Sequence, residues 1–145
     1  YNKIIYDENT LIDLASDTAT ASDVLSGKTF HLSNGAQETG TLSLSKATAT
    51  TSSSTARTVS FTISKEPSWF MLICSNTNTT ARSARVQHIL YDGTTITTYY
   101  GRTSTAGAIA ASTEYGSFTY SSGTLTITVA TAPYFGAADW ELYYL

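Results

Sequence analysis

From residue 59 onward the chain alternates. Val59, Phe61 and Ile63 are apolar where Ser60, Thr62 and Ser64 are polar, the period-two pattern of a strand with one buried face. Pro67 interrupts this run, and Trp69–Cys74 is then apolar at every position, as in a central strand covered on both sides. Residues 75–84 (SNTNTTARSA) read as a polar loop. Arg85–Tyr91 and Thr94–Tyr100 flank Asp92-Gly93, a pair that tolerates positive φ and predicts a two-residue type I′ hairpin. Glu114–Tyr120 and Thr124–Ala130 flank Ser121-Ser122-Gly123 in the same way, and Trp140, Leu142 and Tyr144 alternate with Glu141 and Tyr143. Seven strands at this spacing predict an antiparallel sandwich or barrel. Ser104–Ser112 (STAGAIAAS) has no strand pattern and reads equally as a loop or a helical turn.

The first 42 residues follow a different plan. Lys3–Tyr6 and Thr10–Leu14 flank an Asp7-Glu8-Asn9 turn, and Lys28–Leu32 and Thr39–Leu42 flank Asn34-Gly35, two hairpin signals. Between them Ser22 or Asp23 is placed to cap one turn of helix through Val24-Leu25, with Gly27 just past its end. About 40 residues are too few to bury a core of their own, so this zone calls for a partner surface. Residues 43–58 (SLSKATATTSSSTART) hold almost only Ser, Thr and Ala and read as a connector with nothing to bury. The predicted architecture is therefore mainly β. It comprises a small N-terminal β-hairpin module (1–42), a Ser/Thr-rich connector (43–58) and a C-terminal antiparallel β-sandwich (59–145) of jelly-roll or immunoglobulin-like type.

Composition narrows the function. The 145 residues include 27 Thr and 19 Ser, only 13% are charged, and the formal charge is −3. No cluster of Lys and Arg suits nucleic acid, and no apolar run approaches the roughly 20 residues of a membrane helix. No charged stretch followed by an apolar one reads as a secretory signal. Cys74 is the single cysteine, so neither an intrachain disulfide nor a multi-thiolate zinc site can form. It is expected to be a buried small hydrophobe.

Motifs for catalysis are missing. His31 and His88 lie in predicted strands without His-x-His or Glu-x-x-His spacing, so no metal site is expected. No Gly-x-Ser-x-Gly elbow occurs. Gly27-Lys28-Thr29 ends like a phosphate loop, but Ser22 stands where the first glycine belongs. Asp7-Glu8 falls in a turn, and Asp139 and Glu141 sit on one solvated strand face. Asn78-Thr79-Thr80 is a glycosylation sequon, meaningful only for a eukaryotic secreted chain. We expect no catalytic residue, no metal and no cofactor.

The aromatic residues are what remains. Tyr99, Tyr100, Tyr134 and Tyr143 are candidates for a ligand platform or a subunit interface, since flat rings stack on the apolar faces of sugars and pack well between subunits. Neighbours such as Tyr99 and Tyr100 must split across the two faces of a strand. One of each pair is then core, and the outward ring is the one available to a partner.

Residues 2–42 resemble a segment found at the start of many tail-associated virion proteins of phages that infect Gram-positive bacteria. The matching elements are Leu11-Ile12-Asp13-Leu14, Asp17-Thr18-x-Thr20, Asp23-Val24-Leu25-x-Gly27-Lys28-Thr29-Phe30 and Asn34-Gly35 with Thr39-Gly40-Thr41. The stretch Glu66-Pro67-Ser68-Trp69-Phe70 loosely resembles the β-sandwich modules appended to such proteins. The resemblance implies a non-enzymatic virion structural protein: a tail fibre, baseplate or other appendage made in the bacterial cytoplasm and carried on the particle surface. It implies homo-oligomers, trimers favoured, contacts with other virion proteins, and a place in host adhesion through surface carbohydrate. It transfers no catalytic residue, and implies neither nucleic-acid binding nor membrane insertion. A carbohydrate-binding sandwich, a capsid (head) decoration or fibre protein, and an enzyme such as a glycosidase or esterase are the alternatives left open.

Overall fold

The computed structural model describes residues 3–6, 9–14, 16–77, 85–101, 108–130 and 133–145. The chain divides into two compact units, Tyr1–Ser43 and Leu44–Leu145. The Asp7-Glu8 pair, the sequon at Asn78 and residues 104–107 of the 104–112 stretch lie outside the described residues.

In the first unit β1 (Lys3–Tyr6) pairs antiparallel with β2 (Asn9–Asp13), and β3 (Thr29–His31) pairs with β4 (Gln37–Thr39). The helical turn is a 3-10 turn at Ala21–Asp23, earlier than expected, because its cap is Thr20 rather than Ser22 or Asp23. The Asp23 carboxylate accepts from both the Thr20 N–H (2.9 Å) and its hydroxyl (2.7 Å), while the Asp23 N–H donates to the Thr20 carbonyl. These bonds hold the Asp23 carboxyl below its ordinary pKa, as expected for an anion that accepts donors. Asn34 closes the β3–β4 connection by accepting from the Ala36 N–H, with Gly35 at φ +82°.

Among the described residues the second unit holds nine strands in two sheets: β5 (Ser45–Thr51), β6 (Thr58–Thr62), β7 (Phe70–Thr77), β8 (Val86–Tyr91), β9 (Ile96–Gly101), β10 (Ile109–Ser112), β11 (Gly116–Ser121), β12 (Thr124–Val129) and β13 (Ala138–Tyr144). Six form a sheet in the order β10-β9-β8-β7-β13-β5, and three form a sheet in the order β11-β12-β6. Every pairing is antiparallel. The expectation of a mainly β chain with an antiparallel sandwich holds.

The core is built from inward rows. Val59, Phe61, Leu125, Ile127 and Val129 come from the smaller sheet, and Phe70, Leu72, Val86, Ile89, Ala138, Trp140 and Leu142 from the larger. Phe118 of β11 meets the Phe70 ring edge-on at 5.2 Å and the Tyr91 ring at 4.8 Å. Phe135 meets Trp140 edge-on at 5.1 Å. Such tilted contacts suit the ring quadrupoles.

Four local expectations are corrected. Residues 43–58 are not a connector throughout: Ser45–Thr51 is a strand paired with β13 along its whole length. Its core side carries Ser45, Ala47, Ala49 and Thr51, small residues that a hydrophobicity pattern does not register. Residues 109–112 form the edge strand β10. The turn at Asp92-Gly93 is a four-residue loop, closed by Tyr91 opposite Ile96, because the Asp92 carboxylate accepts from both the Thr94 and Thr95 N–H groups. The two-residue hairpin occurs instead at Ser122-Gly123, both with positive φ (48° and 79°). Finally, Trp69 precedes its strand and is only half-buried, while Trp140 is fully buried.

Two buried threonines show opposite economies of hydrogen bonding. The Thr51 hydroxyl accepts from Trp140 Nε1 at 3.0 Å and donates to the Gly136 carbonyl. The Thr98 hydroxyl is fully buried with no partner among the described residues, beneath the bare Cα of Gly116. Thr51→Val orphans the indole N–H and a carbonyl, and we expect it to cost about 1–3 kcal/mol in urea melts. Thr98→Val removes an orphaned group at constant shape, so its melting midpoint should equal or exceed that of the natural chain. A clear loss at Thr98→Val would show that its hydroxyl has a partner.

Candidate functional site

The six-stranded sheet has one face on the core and one facing away from it. Two cross-strand rows run over this outer face. The first joins Ala111, Tyr99, His88, Ile73, Glu141 and Thr48, and the second joins Thr97, Leu90, Met71, Tyr143 and Lys46. Met71, Ile73, Leu90, Tyr99 and Tyr143 are half-buried there, and Ile109 at the far edge is 59% exposed. The face is therefore apolar and aromatic in its centre and lined with threonine toward β5.

Two β-bulges set this face. On β8, Val86 opposes Tyr100 while His88 opposes Tyr99, so Gln87 is an extra residue. Simple alternation would place Val86 and His88 on the same side. The bulge keeps Val86 in the core and sends His88 outward, where its ring stacks on Tyr99 at 4.3 Å and 19°. On β7, Ser75 is the extra residue opposite β13, and its hydroxyl donates to the Asp139 carbonyl at 3.2 Å. Bulges re-aim side chains in this way wherever the pleat has to change phase.

The charged groups on the β13–β5 side are engaged. Lys46 pairs with Glu141 at 2.9 Å and lies 5.4 Å from the centre of the Tyr143 ring. The Tyr143 hydroxyl donates to Glu141 at 2.7 Å, and Thr50 donates to Asp139 at 2.8 Å. The bond from Lys46 first, and that from Tyr143 second, hold the Glu141 carboxyl below its ordinary value.

The four tyrosines do not converge. Tyr99 and Tyr143 share the outer face, three strands apart, or about 14 Å at the usual strand spacing. Tyr100 points to the other side of β9 and meets Tyr115 edge-on at 5.4 Å. Tyr134 lies in the segment leading to β13, with the Arg57 guanidinium 5.3 Å above its ring and its carbonyl accepting from the Val86 N–H. His88 is the member of the surface that sequence reasoning placed no weight on. A bulge leaves no trace in a single sequence, and without the bulge His88 belongs to the inner face.

No protein-family model matches the chain, and no curated protein or solved structure matches it either. Among the described residues no group of three His, Cys, Asp or Glu side chains lies close enough to hold a metal ion, and no helix is long and apolar enough to cross a membrane. Cys74 is half-buried and packs against the core. His31 is exposed on β3 in the first unit. What the outer face offers chemically is contact area: a stacked imidazole–phenol pair, a strip of aliphatic side chains, and one ion pair at its margin.

Burial holds the His88 imidazole below its ordinary value of 6.5. The folded chain then takes up this proton less readily than the unfolded chain. Its contribution to stability is present above pH 6.5 and is lost as the pH falls below that value. We expect the His88 ring signals to titrate by NMR with a midpoint below 6.5. His88→Gln should flatten the decline in urea midpoint between about pH 7 and pH 5. A midpoint at or above 6.5 would mean that the Tyr99 stack favours the imidazolium.

Proposed function

We propose that this chain is a non-enzymatic structural protein of a phage particle, a tail-fibre, baseplate or other surface appendage. Residues 1–43 serve as its assembly module and the sandwich is the part displayed. The observation that carries this reading is the make-up of the first unit. Among residues 14 and 16–43 only Gly40 is buried, and Leu25 is 63% exposed. What orders it is backbone hydrogen bonding: Ser26 to Leu42, Gly27 to Gly40, Gly40 to Lys28, Thr41 to Ala21 and Leu42 to Val24. Gly40 is required there, since a Cβ would lie 2.3 Å from the Val24 carbonyl oxygen. Net stabilisation per hydrogen bond is small, so a unit of this kind draws its stability from a surface on which it docks. That is the expected behaviour of an attachment module.

The outer face of the six-stranded sheet favours a second reading that can coexist with the first. An aromatic pair beside an aliphatic strip on a flat surface suits the apolar face of a pyranose, so the sandwich would contribute host adhesion through surface carbohydrate. Loss of glycan-array binding on Tyr99→Ala is the test of that part. Position on the tail or on the head, as a capsid decoration, is equally compatible with the assembly module.

The assembly reading is tested by native mass, using light scattering on a sizing column for the full chain and for residues 44–145. The second unit carries its own core and should fold alone. We expect a closed oligomer for the full chain, a trimer or a multiple of one, and a lower mass without residues 1–43. Equal oligomeric states for the two forms would overturn the role given to the N-terminal unit.

A further inference from the structure

We infer that the β5 edge of the six-stranded sheet is a two-fold contact between copies of this chain, in which β5 pairs antiparallel with β5 of a second copy. The two sheets of the second unit expose four edges: β5, β10, β11 and β6. β5 is the longest, with seven residues against four, six and five. It pairs with β13 through seven consecutive residues without a register shift. Its other side presents a straight row of backbone donors and acceptors, and among the described residues no backbone bond outside the sheet reaches it. Natural edges are blunted by proline, bulges, shortness or charged side chains, lysine above all. β5 has none of the first three, and its one lysine, Lys46, is held on its own sheet by Glu141 at 2.9 Å.

The occupant is fixed by self-complementarity. In a two-fold pair centred on Thr48, the strand Ser45–Thr51 overlaps its partner over its full length. Inner residues meet inner residues, Ala47 opposite Ala49 of the second copy, so the small side chains that leave β5 shallow in its own sandwich match one another. On the outer side Lys46 stands opposite Thr50 of the second copy, the residue whose hydroxyl holds Asp139. Each Lys46 thus lies between its own Glu141, 2.9 Å away, and the Asp139 of the other copy one strand further on, and the relation holds in both directions. Lys46 and that Asp139 lie in one cross-strand row two strands apart, about 10 Å at the usual spacing, where opposite charges attract, whereas like charges directly opposite each other are destabilising. A β10 or β11 edge has no charge with which to select its partner. The contact joins two six-stranded sheets into one continuous twelve-stranded sheet and removes both β5 edges. An isologous two-fold of this kind closes on itself. It does not depend on a phage setting, and it adds a two-fold axis to whatever symmetry residues 1–43 impose.

Thr48 is exposed and sits on the two-fold, so it faces itself. T48K and T48E each place like charges directly opposite one another, and T48K retains a cross-strand partner in Glu141. Full-length T48K and T48E should each show half the native mass of the natural chain, with unchanged circular dichroism, and an equimolar mixture of the two should restore it. In parallel, Thr48→Cys should give a disulfide-linked dimer on mild oxidation, whereas the natural chain, whose single thiol is Cys74, should not. Unchanged mass in T48K and T48E, or no recovery in the mixture, would overturn the β5 contact. A mass that responds to T48K but not to removal of residues 1–43 would retain the β5 contact while discarding the assembly role of the first unit. The reverse pattern would do the opposite.

Discussion

The last strand is the constraint on which the second unit depends. β13 lies between β7 and β5, and its inward row of Ala138, Trp140, Leu142 and Tyr144 is buried throughout. Without it β5 has no neighbour in the larger sheet and β7 loses one of its two ladders. Both pairings join residues far apart in the chain, so their loop-closure entropy must be met before the ladder forms. Trp140 makes that possible. Its ring fills the core beside Phe135, and its indole N–H, which could not be buried unpaired without cost, finds Thr51 at the end of β5. One side chain therefore ties core packing to strand register.

The outer face follows from that register. Because β13 and β7 are fixed by their inward rows, Tyr143, Glu141, Met71 and Ile73 have to point away from the core. The bulge at Gln87 adds His88 and Leu90 to the same side, and Tyr99 arrives opposite His88. The apolar character of this surface is a by-product of strand propensity as much as a binding device: β-branched and aromatic residues favour strands on either face. The geometry that distinguishes it is the near-parallel stack of His88 and Tyr99.

The two units are held together by different physics. The sandwich buries large apolar side chains, and its stability scales with that area. The described part of the first unit is ordered by backbone bonds, the carboxylate of Asp23 bonded back to Thr20, and Gly40 at a position that a side chain could not occupy.

By itself the sequence determined the strands with large inward residues. Phe61, Leu125, Ile127, Trp140 and Leu142 alternate with polar neighbours, and period-two burial follows directly from the pleat. It also determined most turns, since Asn34-Gly35 and Ser122-Gly123 carry their backbone requirement in their side chains. The tertiary structure decided what local pattern cannot encode. β5 is a strand because β13 supplies a ladder along its whole length, although its small core-side residues read as a connector. β10 exists because β9 offers an edge. His88 faces outward because a bulge is a relation between two strands, and the alternation of one strand contains no sign of it. Tyr99 and Tyr143 lie on one face and Tyr100 and Tyr134 do not, because a face is defined by neighbouring strands and each neighbour is set by long-range packing.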